Sequence, residues 1–246
     1  MGIGVHKDLI EKNQFYKNNK PLLKKIYGEF YELIAQQLSR LSDGKIAELG
    51  SGIGNIQDYI PDCIRTDLFP AEWIDQIENA YSLSFEDSSL SDLIMIDVFH
   101  HLRYPGTALK EFHRVLMDGG RAIILDPCIS PLGRLVYGPL HDEPINYHEE
   151  IHWSPPDVWS PEEIDYYAAQ GNATRVFLGA RFKDKLSTWK SIHIIRLSAI
   201  AYVASGGYSR PQFYPDPAYP LIKKIEELLD KFPALFATRM LVVLEK

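Results

Sequence analysis
Cysteine is nearly missing from this chain: Cys63 and Cys128 are the only two in 246 residues. Two thiols cannot form a disulfide framework, so a stapled secreted scaffold is excluded and the cytoplasm is the expected compartment. No apolar run reaches the roughly 20 residues that a membrane-spanning helix needs. The opening stretch Met1–Lys7 lacks the apolar core of a secretory signal, and Gly2 fails as a myristoylation site because position six is His6 rather than Ser or Thr. Positive charge is also short. Lys and Arg number 26 against 33 Asp and Glu, a formal net charge of −7, which leaves no electrostatic footprint for nucleic acid. Lys17, Lys20, Lys24 and Lys25 form a local basic group, read as a solvated helix face. There are no internal repeats and no low-complexity tracts. Hydrophobic residues make up 46 % of the chain, enough for a large core.

In the first half, helical and extended patterns alternate. Residues 8–18 and 21–40 read as helical, the second with Leu22, Leu23, Ile26, Tyr27, Phe30, Leu33 and Ile34 at helical spacing and Pro21 at a first helical position. Strands are expected at 45–49, 62–67, 92–98 and 121–126, the last stopped by Pro127. The run Asp92–Val98 is nearly continuously apolar, as in a strand buried on both faces. Residues 70–80 are ambiguous between a short helix and a strand at 74–77. A helix is expected at 105–116 and a turn at Met117-Asp118-Gly119-Gly120. Residues 128–216 break the rhythm, with many Pro, Tyr, Trp and His, a helix expected at 161–170 and an apolar stretch at 192–204. A helix at 220–230 and a strand at 239–245 close the chain. Strand–helix alternation implies right-handed βαβ units and a mostly parallel sheet, an α/β fold. The expected division is an N-terminal helical segment over 1–41, a core over 42–127, a cap over 128–216 and a closing helix and strand over 217–246. Open α/β sheets bind ligands at the carboxyl ends of their strands, where such a cap would lie.

Residues 46–54, Ile46-Ala47-Glu48-Leu49-Gly50-Ser51-Gly52-Ile53-Gly54, carry the most information. Apolar residues with a carboxylate lead into a turn that has glycine at every second position. Such a loop lets a ligand lie against the backbone, and Asn55 is placed to open a helix whose first N–H groups point back at it. The spacing is acid-x-Gly-x-Gly-x-Gly. Dinucleotide-binding enzymes carry Gly-x-Gly-x-x-Gly, with the third glycine one position later, and this disfavours an NAD-dependent oxidoreductase. Further on, Asp67 ends the second strand, Asn79-Ala80 precedes Leu83-Ser84-Phe85, and Asp97-Val98-Phe99-His100-His101 ends the fourth. Arg114-Val115-Leu116 and Gly119-Gly120 follow.

This order resembles class I S-adenosylmethionine (SAM) methyltransferases, specifically the type 11, small-molecule-like group, over roughly residues 44–127. Outside that core, Ser130-Pro131-Leu132-Gly133-Arg134-Leu135-Val136-Tyr137, His141-Asp142-Glu143-Pro144 and Ser205-Gly206-Gly207-Tyr208 are similar to a bacterial subgroup of uncharacterised methyltransferases, some associated with surface glycans. The resemblance implies a Rossmann-like, mostly parallel seven-stranded sheet, SAM as cofactor and a small-molecule or glycan-precursor acceptor. It implies that Glu48 and the backbone of Gly50, Ser51, Gly52 and Gly54 hold the methionine tail. Asp67 with Leu68 would hold the ribose and Asn79 with Ala80 the adenine, while Asp97 and Val98 would flank the sulfonium. Asn79 stands where many members have an aspartate, so it can hydrogen-bond but brings no charge.

Transfer to a hydroxyl or amine needs a base, and histidine suits neutral pH. His101 is the first candidate and His100 the second; either one can instead hold a loop. No metal is required by this scheme. A non-catalytic SAM-binding scaffold remains the alternative from another class. His148-Glu149-Glu150-Ile151-His152 matches the zinc-protease pattern, which needs both histidines on one face of a stable helix. Pro144 before it and Pro155-Pro156 after it argue against that helix, and an exposed stretch is expected, with His141, His148 or His152 near the acceptor.

Overall fold
The computed structural model describes residues 13–246 apart from 17, 54, 140, 142, 163–166 and 209. Seven strands form a single sheet in the order β3-β2-β1-β4-β5-β7-β6. They are β1 (Lys45–Leu49), β2 (Cys63–Asp67), β3 (Gln76–Ile77), β4 (Leu90–Ile96), β5 (Leu116–Pro127), β6 (Ser191–Leu197) and β7 (Arg239–Glu245). The first five run parallel, and β7 pairs antiparallel with both β5 and β6. This is the mostly parallel seven-stranded arrangement expected from the sequence.

Side-chain alternation in the central strands builds two cores from continuous apolar runs. Leu93 and Met95 of β4, Ala122 and Ile124 of β5 and Met240, Val242 and Leu244 of β7 face one side. There they meet Ala108, Leu109, Phe112 and Val115 of helix α2 (Pro105–Val115). Ile94, Ile123, Leu125, Leu241 and Val243 face the other side and meet Leu22, Leu23, Ile26 and Phe30 of helix α1 (Pro21–Ala35). Short helices α3 (Pro131–Tyr137), α4 (Asn172–Phe177) and α5 (Ile200–Ala204), then α6 (Tyr219–Leu229) and α7 (Pro233–Phe236), complete the described elements.

Several boundaries differ from the sequence reading. Helix α1 stops at Ala35 rather than residue 40, because Gln36 and the following turn bond back onto it. Most of the helix expected at 8–18 lies outside the described residues. After the glycine loop the chain makes a 3₁₀ turn at Ile56–Asp58 and no α-helix; the Asn55 side chain makes no capping bond. The ambiguous segment at 70–80 becomes the two-residue edge strand β3. Strand β4 ends at Ile96, so Asp97 and Val98 lie beyond it. The expected turn at 117–120 lies inside β5, where Gly119 adopts a positive φ and the register against β4 shifts. Residues 163–166 of the helix expected at 161–170 are outside the described set, and the described residues on either side are not helical. The range 128–216 contains β6, an edge strand of the sheet itself.

Of the expected solvated lysines, Lys24 and Lys25 are exposed on α1, Lys17 lies outside the described residues, and Lys20 is the exception. Lys20 is buried, and its Nζ donates to the carbonyls of Ser205 at 3.0 Å, Gly207 at 2.6 Å and Arg210. Burial lowers its pKa. Lys25 lies over the Tyr219 ring. Lys20 thereby fastens the turn at Gly206, where φ is +72° and a Cβ would meet the Arg210 and Pro211 carbonyls at 2.4 Å.

Candidate active site
The site sits at the carboxyl ends of β1, β2, β4 and β5. At the end of β1 the glycine loop turns back under β2: Ser51 N–H donates to the Thr66 carbonyl at 2.8 Å. The Thr66 hydroxyl donates to the Glu48 carbonyl at 2.8 Å. Gly50 has a φ of +68°, and a Cβ on it would sit 2.4 Å from Val98 Cγ2, so only glycine fits between the loop and Val98. Gly52, at φ +52°, has only the Gly50 carbonyl near the place of a Cβ, at 4.0 Å. The loop is thus open on the side where a ligand would approach. Gly54 lies outside the described residues.

Glu48 is 2 % exposed, and its Oε2 has no hydrogen-bond partner among the described residues. Burial pushes its pKa up to about 7, with a Ser51 hydrogen bond acting the other way. A buried carboxylate oxygen without a donor is costly to maintain, and a ligand ammonium would satisfy it. Asp67 ends β2 with one carboxylate oxygen accepting from Gly52 N–H at 3.0 Å and the other from Phe69 N–H at 3.2 Å. The carboxylate therefore binds loop to strand end and keeps lone pairs for further donors. Leu68, next in the chain, is half-buried. Trp73 Nε1 donates to the Gly52 carbonyl at 2.7 Å and braces the loop from the other side.

The Asn79 amide has two partners: it donates to the Pro161 carbonyl at 2.8 Å and accepts from Tyr81 N–H at 3.0 Å. Ala80 packs half-buried against the core. Beside this turn, Trp159 makes edge contacts with Tyr81 and Tyr104 at centroid distances of 5.2 and 5.0 Å.

Beyond β4, Asp97 adopts a left-handed φ of +57°, unusual for a residue with a side chain. Both of its carboxylate oxygens pair with Arg239, one of them Oδ2 with Nη2 at 2.8 Å, and Arg239 is 1 % exposed at the start of β7. Burial alone would raise the Asp97 pKa; the guanidinium overrides it and holds the carboxyl below its usual range.

The 3₁₀ turn Phe99–His101 then places the two histidine rings 4.1 Å apart, centroid to centroid. His100 is buried, with Nδ1 at 3.0 Å from Asp126 Oδ1 of β5 and Nε2 at 3.4 Å from Glu143 Oε2. Burial works against its charge, but the two carboxylates win and raise its pKa to about 10. His101 has Nδ1 at 2.9 Å from the Tyr167 carbonyl and Nε2 at 3.9 Å from Glu143 Oε1. Burial and the neighbouring His100 charge push its pKa down to about 4. A carbonyl only accepts, so the proton of neutral His101 belongs on Nδ1, which makes Nε2 its basic nitrogen. Gln170, 2 % exposed, donates from Nε2 to Glu143 Oε2.

The structure thus brings together His100, His101, Asp97 and Val98 around one strand end, with the Glu48–Gly52 loop against Val98. Sequence reasoning did not give a site role to Asp126, Glu143, Gln170 or Arg239. Glu143 lies in the His141–Pro144 stretch, and Asp126 ends an obvious strand; those were the available signals. His148, Glu149 and His152 lie exposed on an irregular segment with no helix, so the zinc-protease geometry is not formed.

Comparison with known proteins fits this geometry. Residues 48–124 match the sequence model of a family described as a methyltransferase domain, and this range runs from Glu48 to β5. No curated protein sequence matches the chain. Among solved structures, the chain is similar to a SAM-dependent methyltransferase, described as a possible histamine N-methyltransferase, from Thermotoga maritima. That similarity has a TM-score of 0.52 at 13 % identity and covers 96 % of this chain and 97 % of that one. A SAM-dependent methyltransferase from Archaeoglobus fulgidus gives 0.52 at 12 % identity over 95 % and 98 %. Geranyl diphosphate C-methyltransferase from Streptomyces coelicolor, in complex with Mg²⁺, geranyl diphosphate and S-adenosyl-L-homocysteine, gives 0.52 at 12 % identity over 91 % and 82 %. The fold is that of the class I methyltransferases. Residues 48–124 thus match a methyltransferase-domain model within a fold shared with these SAM-dependent methyltransferases.

Proposed function
We propose that the chain binds SAM at the Glu48–Gly52 loop and Asp67 and transfers its methyl group to a small acceptor lying beside His101. The observation that carries this reading is the buried Glu48 Oε2, without a partner among the described residues, next to an open glycine loop, with Asp67 at the adjacent strand end. These groups suit the amino-acid tail and ribose diol of SAM. Asn79 and Ala80 would take the adenine edge, and Asp97 and Val98 would flank the sulfonium. SAM supplies a methyl group on a cationic sulfur, an activated leaving group. What remains for the protein is positioning and exclusion of water.

A hydroxyl or amine acceptor must give up a proton, and His101 accepts it at Nε2. The Tyr167 carbonyl fixes the ring's orientation. His100, held by Asp126, and Gln170 both fix Glu143 beside it. The acceptor class, small molecule or glycan precursor, rests on the family resemblance. The two cysteines are buried and free, which suits a reducing compartment such as the cytoplasm. No helix among the described residues is long and apolar enough to cross a membrane.

The test is formation of S-adenosylhomocysteine from SAM across a panel of small hydroxyl and amine acceptors, with metal-stripped protein. His101→Gln should lower turnover by about 10²–10⁴-fold, the usual share of a general base, with SAM affinity kept. Equal turnover in that variant would remove His101 from the chemistry.

A further inference from the structure
We infer that a divalent transition-metal ion of the zinc class binds between His100 Nε2, His101 Nε2 and a Glu143 carboxylate oxygen. The three side chains come from two places in the chain, the turn after β4 and the segment after α3, and converge only in the fold. Their ligand atoms all lie within 4.8 Å of one another. The Nε2 atoms of His100 and His101 approach the two Glu143 oxygens at 3.4 and 3.9 Å. Zinc bonds of about 2.0–2.2 Å in a tetrahedron separate neighbouring ligand atoms by roughly 3.3–3.6 Å, so small side-chain adjustments close the site.

The groups behind the ligands fit this use as well. A metal-bound histidine normally gives its other ring N–H to a carboxylate or a carbonyl, which fixes ring and tautomer. Both rings do so here: His100 Nδ1 faces Asp126, which is fully buried, and His101 Nδ1 faces the Tyr167 carbonyl. Gln170 supports the third ligand.

Carboxylates lie behind the ligands too: Asp126 backs His100, and Asp97 nearby is paired with Arg239. Two imidazoles and one carboxylate favour zinc-class ions over Mg²⁺ or Ca²⁺, which prefer all-oxygen sets. The His101 and Glu143 side chains are 33 % and 26 % exposed, so the fourth position opens outward, as in three-ligand zinc sites that bind water or substrate. Ion binding stands apart from methyl transfer. Its effect on transfer rests on the reading above: the ion takes the lone pair of His101 and so blocks that base.

The test is calorimetric titration of the chelator-stripped full chain with Zn²⁺ at neutral pH, repeated with Co²⁺ to read visible d–d absorption from an N/O tetrahedral site. One ion per chain is expected. Glu143→Gln and His101→Ala, at partly exposed positions, should each weaken binding by at least tenfold. Asp126→Asn, acting through His100, should weaken it by about 10–100-fold. His148→Ala with His152→Ala should leave binding unchanged. Circular dichroism and SAM affinity are measured on every variant, so a folding failure is seen directly. Absence of stoichiometric Zn²⁺ binding, or binding that survives Glu143→Gln and His101→Ala in folded protein, would overturn the site. Zn²⁺ failure with intact SAM binding rejects the ion alone, whereas failure of the wild type to bind SAM rejects the methyltransferase reading.

Discussion
Glu48→Gln is expected to stabilise the ligand-free fold at alkaline pH while weakening the cofactor site. The Glu48 carboxyl is 2 % exposed, one of its oxygens has no partner among the described residues, and its pKa is pushed up to about 7 from an ordinary 4.5. A raised acid pKa means that the folded state resists ionisation. Stability is therefore lost as pH rises from 4.5 through 7, by at most about 3 kcal/mol at 1.36 kcal/mol per unit. Glutamine removes that loss but buries an amide N–H at a cost of about 1–3 kcal/mol. The variant should therefore be more stable than its parent by on the order of 1–2 kcal/mol at pH 8, and no more stable at pH 5. SAM binding runs the other way. An ammonium pairs with ionised Glu48, whose ionised fraction rises about eightfold from pH 6 to 7.5 for a pKa near 7, while an α-amino group stays mostly charged. Wild-type affinity for S-adenosylhomocysteine, measured by calorimetry, should tighten by about that factor over the same range. In Glu48→Gln it should be weaker by about 1.5–3 kcal/mol at pH 7.5, and its pH dependence should flatten. A wild-type affinity independent of pH, or a variant with the same slope, would refute the role given to Glu48.

Asp67→Ala should weaken SAM binding by about 1.5–3 kcal/mol in an equilibrium titration; unchanged affinity in folded protein would make the acid structural only. Gly50→Ala should lower the melting temperature and impair SAM binding, because the new methyl meets Val98 Cγ2 at 2.4 Å and φ is positive. Adding Val98→Ala should recover part of the loss in a double-mutant cycle, and strictly additive effects would deny the contact. Lys20→Met should cost on the order of 2 kcal/mol in denaturant unfolding, because it leaves the Ser205, Gly207 and Arg210 carbonyls without their charged donor; a neutral change would show that the turn closes without it.

Much of the sheet was legible because its strands are continuous apolar runs bounded by turn residues, and the glycine spacing marked the loop at the end of β1. What the pattern could not show was set by tertiary contacts. Gly119-Gly120 reads as a turn, and a local bend does survive inside β5: pairing with β4 skips from Leu116 to Arg121 and Gly119 takes a positive φ. The segment Ser191–Leu197 alternates poorly because it is an edge strand with one side open, so it was absorbed into the expected cap. Asn55 signals a helix start, but the chain makes only a 3₁₀ turn there before β2. At the site, His100 and His101 were visible as an adjacent pair. Their partners were not: Asp126, Glu143 and the Tyr167 carbonyl meet them only across the fold. Arg239 starts the last strand, and nothing local in it announces a buried ion pair with Asp97.

The most direct test of the methyltransferase reading is a thermal melt of the purified chain with SAM, S-adenosylhomocysteine or NAD. A ligand that binds only the folded state at 100 times its Kd stabilises by about 2.7 kcal/mol, a rise of roughly 5–10 °C for a chain of this size. SAM and S-adenosylhomocysteine should each produce that rise and NAD none, with calorimetry giving one SAM per chain. A shift with NAD and none with either sulfur ligand would contradict the assignment of the Glu48–Gly52 loop to SAM.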